Sequence, residues 1–217
     1  MRDVQDVYVE ILNAAEDKSV TIAAIGLPMN IRNLLRNYHD LFEKKVKAVY
    51  YMNGFYNFGC ADGYLGNAND CYGAAQEVQE KFPHSVAEYF QINGGDMCTG
   101  GDFYNNKRGD DSNPVYRAFR DWMNQRRDTC WPARPSWDPL TVYAAIVGTD
   151  EAQMWEEAGT DEIDEQGHEH FDTSWTTNNE YNLWFTNDNK KPGVTDILNE
   201  AIYAGSKASR LSQEFLQ

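Results

Sequence analysis

Positive charge is what this chain has least of. Against 34 Asp and Glu it sets only 19 Lys and Arg, so 217 residues carry a formal net charge of −15 and an isoelectric point near 4.6. A nucleic-acid partner needs a basic face, which this composition excludes. An anionic membrane surface is disfavoured for the same reason. A neutral small molecule is not repelled, and a divalent cation would be attracted. Long apolar runs are missing as well. No stretch approaches a membrane span, and Met1-Arg2-Asp3-Val4-Gln5-Asp6 lacks the apolar core of a signal peptide. The default expectation is a cytoplasmic protein, with secretion the alternative if the cysteines pair.

Cysteine is sparse: Cys60, Cys71, Cys98 and Cys130. No Cys-x-x-Cys spacing occurs, which argues against a zinc site or a thioredoxin-like motif. Two disulfides in any of three connectivities, or buried free thiols, remain open. There is no Asn-x-Ser/Thr sequon. The glycines of Gly94-Gly95-Asp96 and Gly100-Gly101-Asp102 lack the Lys and the spacing of a phosphate loop. No Gly-x-Ser-x-Gly elbow supports a serine nucleophile. His168-Glu169-His170 could place two imidazoles on one strand face, but without a third ligand nearby it reads as an exposed acidic hairpin.

What is present suits a globular α/β protein. Hydrophobic residues make up 41%, enough for one domain, 1–217, with a real core. Asp3 to Asp17 has a helical period through Val4, Val7, Tyr8, Ile11 and Leu12. Val20–Gly26 reads as a buried strand, Met29–Tyr38 as a helix and Val46–Met52 as a second strand. A Gly- and Asn-rich loop runs from Asn53 to Asp70. A helix over Cys71–Phe82 and a strand over Val86–Ile92 follow. Asn113-Pro114 opens a helix to Arg127, since Asn caps and Pro suits the first helical position. Another helix starts around Asp138. Thr149 to Asp172, crowded with acids, reads as a solvated connection. Phe171–Thr176 and Tyr181–Phe185 read as a hairpin or edge strands, and Pro192–Leu216 as a closing helix.

Strands alternating with helices predict an open, mostly parallel sheet flanked by helices, a Rossmann-like α/β architecture. Ligands of such sheets bind beyond the carboxyl ends of the strands. Gly26, Met52-Asn53-Gly54 and Asn93-Gly94-Gly95-Asp96 all follow strands and are predicted to gather on one rim.

Three segments carry a resemblance. A strand runs into Ile25-Gly26-Leu27-Pro28-Met29-Asn30-Ile31, a second ends in Met52-Asn53-Gly54, and Trp137-Asp138 opens the apolar run Pro139-Leu140-Thr141-Val142-Tyr143-Ala144-Ala145-Ile146. In this order they resemble the inosine/uridine-preferring nucleoside hydrolases. The resemblance implies the nucleoside hydrolase fold and hydrolysis of the N-glycosidic bond of ribonucleosides by a calcium-bound water. It implies Asp138 and the Met29 carbonyl as calcium ligands, Asn67 and Met52 at the ribose, and Trp137 as a wall against the base.

The chain also departs from the family. Leu65 stands where a ribose-binding Glu is expected, Met29 where Thr is usual, and Trp137 where some members carry a proton-donating His. The family's opening Asp-x-Asp-x-x-x-Asp-Asp cluster, which supplies most calcium ligands and the general base, is not found. These residues therefore read as the central and C-terminal part of such an enzyme, with little activity alone. Either a homo-oligomer or a partner chain covering the missing region is expected. The alternative is a non-catalytic binding or assembly protein on the same scaffold.

Overall fold

A computed structural model of the chain describes residues 2–52, 68–105, 109, 111–125, 127, 129–164, 169–174, 178–185 and 191–214. Its contacts fall into two compact units, Met1–Ile92 with Thr141–Trp184, and Asn93–Leu140 with Phe185–Gln217.

The first unit is an α/β layer structure. Helix α1 (Val4–Ala14) starts where Asp3 accepts the Gln5 amide at 2.7 Å, an ordinary N-cap. Strand β1 (Val20–Ala24), helix α2 (Met29–Lys45), strand β2 (Val46–Tyr51), helix α3 (Ala68–Lys81) and strand β3 (Ala87–Gln91) follow. Helix α2 runs on to Lys45, about two turns beyond the expected Tyr38. Tyr38 itself is non-helical (φ −143°, ψ 36°), so the helix kinks there and resumes, and Phe42 reaches the core.

The sheet order is β1-β2-β3-β8-β6-β7, with β6 (Met154–Ile163), β7 (Glu169–Asp172) and β8 (Glu180–Phe185). The pairs β1/β2, β2/β3 and β3/β8 are parallel, and β6/β7 is antiparallel. Two expectations are corrected here. The acidic stretch after Thr149 is not a solvated connection: ten of its residues form β6, in which Asp161 and Ile163 are buried. The segments around Phe171 and Tyr181 do not pair as a hairpin. β7 pairs with β6, while β8 lies between β3 and β6.

Side chains alternate across the sheet. One face sends Val49, Tyr51 and Phe90 into a core with Leu12, Ile31, Leu34, Leu35, Phe42 and Val78 from the three helices. Phe42 meets Phe82 edge-on at 5.5 Å between ring centres. The other face carries a ladder of stacked rings: Tyr50 on Tyr89 at 4.5 Å and Tyr89 on Tyr181 at 5.3 Å. Burial pushes the Tyr50 hydroxyl up to about 12, with Glu156 adding to the shift.

The second unit has its own small core, Phe103, Tyr116 and Tyr203, with Phe119 packed against it. It includes α4 (Gly101–Tyr104), α5 (Pro114–Gln125), the start of α6 (Trp137–Val147), α7 (Lys191–Glu214) and a two-stranded antiparallel sheet of β4 (Cys98–Thr99) and β5 (Arg134–Pro135). Asn113 caps α5 as expected, accepting the Val115 and Tyr116 amides at 2.9 and 3.3 Å. Among the described residues, no helix is long and apolar enough to cross a membrane.

Phe42 is fully buried against Phe82 in the first unit. Phe42→Ala is expected to cost about 3–5 kcal/mol of stability, from lost transfer energy and the cavity left behind. Denaturant unfolding of the two proteins measures it.

Candidate functional site

In the first unit the parallel strands bring two of the singled-out residues to one edge. β1 ends at Ala24 and β2 at Tyr51, and the next amide, that of Met52, donates to the Ala24 carbonyl at 3.0 Å. This bond extends the β1/β2 pairing by one step and holds half-buried Met52 beside the turn leading to Met29. Met29 is the first residue of α2, preceded by Pro28, whose carbonyl accepts the Arg32 amide at 2.9 Å. The Met29 side chain packs on the core. Its carbonyl, being in the first helical turn, runs along the helix axis towards the amide four residues on.

In the second unit the start of α6 is clamped from several sides. Ser136, fully buried, precedes the helix. Its amide donates to the carbonyls of Gly94 and Met97 at 3.0 and 2.9 Å, and its hydroxyl shares a 2.6 Å hydrogen bond with that of Thr99. The Leu140 amide donates to the Ser136 carbonyl at 3.0 Å, starting the helical ladder. The partners of Ser136 lie in 94–99, which β4/β5 pairing holds against 134–135. The Cys98–Cys130 disulfide, with Cα atoms 5.3 Å apart, closes the same corner covalently. Cys71 is disulfide-bonded too. Oxidised cysteines are therefore the observed state of the described positions, which settles a choice the sequence left open.

This clamp presents Trp137 and Asp138. The Trp137 indole is 39% exposed, an uncovered aromatic surface at a helix start. It lies so close to Gly95 that a Cβ there would stand 3.1 Å from Nε1, so this glycine provides room for the ring. Asp138 is half-buried. Burial pushes its carboxyl up, and the charge of Arg134 pulls it back down. Arg134 in turn lies over the Trp122 ring at 4.3 Å, a cation–π contact. Sequence reading had not singled out Thr99, Ser136 or Arg134. Each acts through a contact between distant segments, and no local pattern marks it.

Met29 and Met52 thus belong to the first unit, Trp137 and Asp138 to the second. Asn67 lies outside the described residues, as do Leu65, His168 and Trp175. His170 is exposed, 3.6 Å from the Asp164 carboxylate.

A calcium site needs six to eight oxygen ligands. Among the described residues, no group of three or more His, Cys, Asp or Glu is placed to hold a metal ion. Asp138 supplies one carboxylate beside a cation, and the Met29 carbonyl is directed along its helix. The described residues by themselves do not fit a calcium ion.

No protein-family profile and no curated protein matches this sequence. Solved structures do match its fold. The effector protein XOO4466 superimposes with a TM-score of 0.63 at 16% identity, over 94% of this chain and 65% of that one. The type III effector protein XopQ, solved in complex with adenosine diphosphate ribose, gives 0.59 at 15% over the same shares. The inosine-uridine preferring nucleoside hydrolase of Bacillus anthracis gives 0.54 at 14%, over 91% and 65%.

The fold is that of the nucleoside hydrolases. The chain spans about 65% of the length of each of these nucleoside-hydrolase-fold structures. Gly26 and Met52 follow the ends of β1 and β2, as the sequence predicted for them.

The Cys98–Cys130 bridge closes a loop 32 residues long in sequence separation. Replacing both cysteines by Ser is expected to cost about 2–4 kcal/mol. It should also red-shift Trp137 emission as the Ser136 clamp loosens. Unfolding curves and fluorescence spectra of the two proteins, without reductant, check both effects.

Proposed function

We propose that this nucleoside-hydrolase-like protein binds a ribonucleoside or a related ribosyl ligand, and that these residues by themselves do not hydrolyse it. The observation that carries this reading is the fold match over more than nine-tenths of the chain. It extends to structures described as an inosine-uridine preferring hydrolase and as an adenosine diphosphate ribose complex. Inosine, uridine and adenosine diphosphate ribose share a ribosyl group, and the two nucleosides are neutral, so an acidic protein does not repel them.

The residue roles follow from chemistry. Trp137 offers an exposed indole on which a base can stack. Met52 lies at a strand end, where an apolar wall would meet the ribose. Asn67 has the amide chemistry to hold the sugar hydroxyls. Asp138 is a half-buried carboxyl at a helix start, raised by burial and opposed by the charge of Arg134.

Hydrolysis asks for more. Water must attack the anomeric carbon as the bond to the base breaks, and an ionised general base must sit within hydrogen-bond reach of that water. The oxocarbenium-like transition state also needs fixed oxygen partners around it. Calcium-assisted hydrolysis therefore becomes the function only if carboxylates beyond those described complete the site. The alternative reading is a binding or assembly protein without chemistry on the same scaffold.

Calorimetry with inosine, uridine and adenosine diphosphate ribose tests the binding. Trp137→Ala is expected to weaken it by about 1–3 kcal/mol, the usual worth of one base–aromatic stack. No binding of any of the three would refute the proposal. Base release from inosine or uridine is expected to stay at background with or without calcium. Calcium-dependent release that disappears in Asp138→Ala would show instead that these residues form a complete hydrolase.

A further inference from the structure

Three carboxylates are buried in the sheet of the first unit, outside the candidate site. Glu88 of β3 is 5% exposed, Glu180 of β8 is 5% and Asp161 of β6 is 4%. Glu88 and Glu180 stand opposite each other in the parallel β3/β8 register, so their side chains leave the same face. That face also bears Tyr51, Phe90 and the apolar core. Tyr51 of β2 lies on this face beside Glu88 of β3. On the other side, Glu180 accepts the backbone amide of Asp161. The row therefore crosses four adjacent strands: Tyr51, Glu88, Glu180, Asp161.

Two ionised carboxylates held side by side in a dry core repel each other, and each loses its hydration. One proton on the pair removes the repulsion and leaves a single charge to bury, because a neutral acid can donate to a neighbouring carboxylate. We propose that Glu88 and Glu180 hold one proton between them and form a proton-dependent latch across the β3/β8 seam, which loosens when that proton is lost at higher pH.

The surroundings favour this state. Burial and the charge of Glu180 push the Glu88 carboxyl well up, opposed by the polar hydroxyl of Tyr51 beside it. Burial also pushes Glu180 up, opposed by the Asp161 amide, Asn178 and the charge of His84. The titratable groups facing the pair are Tyr51 on β2, Asp161 on β6 and His84 in the turn after α3. Helix α3 contributes the neutral Gln79, which donates to the Asp161 carbonyl and accepts the Ile163 amide at 3.0 Å. Glu77 of α3 is turned to Arg36 of α2.

The direction follows from linkage. A carboxyl whose folded-state value lies above its unfolded one binds more proton in the folded state. Its stabilising effect is complete below the unfolded value, near 4.5, and fades as pH rises through the folded value. For one retained proton, the folding equilibrium constant falls about tenfold per pH unit across that window. Carboxyls held below their usual range, Asp17, Glu77 and Asp172, act oppositely and only at more acid pH.

The test is denaturant unfolding of the full chain between pH 5 and 9, for the parent, Glu88→Gln and Glu180→Gln. The parent is expected to lose stability with the slope above. Either glutamine variant should flatten that slope, because an amide donor replaces the shared proton permanently. A variant that does not fold is covered by a count on the parent alone. Calorimetric unfolding at pH 7 in buffers of different ionisation enthalpy should then show about one proton released per molecule. Parallel pH profiles in the parent and a folded variant, or no proton released by the parent, would overturn the proposal.

Discussion

The pairing of β3 with β8 is the contact on which the first unit depends. It joins residues near 90 to residues near 180 in one parallel ladder and so makes a single sheet of two distant stretches of chain. Both faces of this seam are specialised. One carries the ring stack that runs through Tyr50, Tyr89 and Tyr181. The other carries the acid row under the helical layer. A seam of such long sequence separation closes only after much chain entropy has been lost, so it gains from side chains that interlock on both sides.

The second unit solves a different problem with different means. Its sheet is only two residues wide on each strand, too small to be stable by backbone bonds alone. A disulfide, two stacked guanidinium–indole pairs and the Ser136–Thr99 bond concentrate around it. What they hold in place is one short sequence, Ser136-Trp137-Asp138. Its side chains differ in exposure: Ser136 is sealed in while Trp137 is partly exposed.

Much of this was legible from the residues. The runs Val20–Ala24 and Val46–Tyr51 are β-branched and apolar, the intervening helix has a clear period, and Asn113-Pro114 is a local start signal. Each element is specified by neighbours in sequence. The start of α6 at Trp137 was legible for the same reason. β6 was not. Met154-Trp155-Glu156-Glu157-Ala158-Gly159-Thr160-Asp161-Glu162-Ile163 looks like surface because its acids are counted as solvated. Asp161 is buried only because Glu180 and Gln79 arrive from elsewhere to meet its backbone. Gly159 looks like a breaker, yet a Cβ there would stand 2.3 Å from the Phe171 ring, so the strand needs glycine for its neighbour to lie flat. Tertiary partners likewise decided the clamp around Ser136 and the choice of Cys130 for Cys98.

The tyrosine ladder has an optical consequence. Aromatic rings stacked at 4.5 and 5.3 Å in fixed orientation couple their electronic transitions, giving a dichroic signal in the near ultraviolet that isolated tyrosines lack. Because the three rings come from three adjacent strands, that signal exists only while the middle of the sheet is assembled. The protein thus contains an intrinsic chromophore for the order of its central strands.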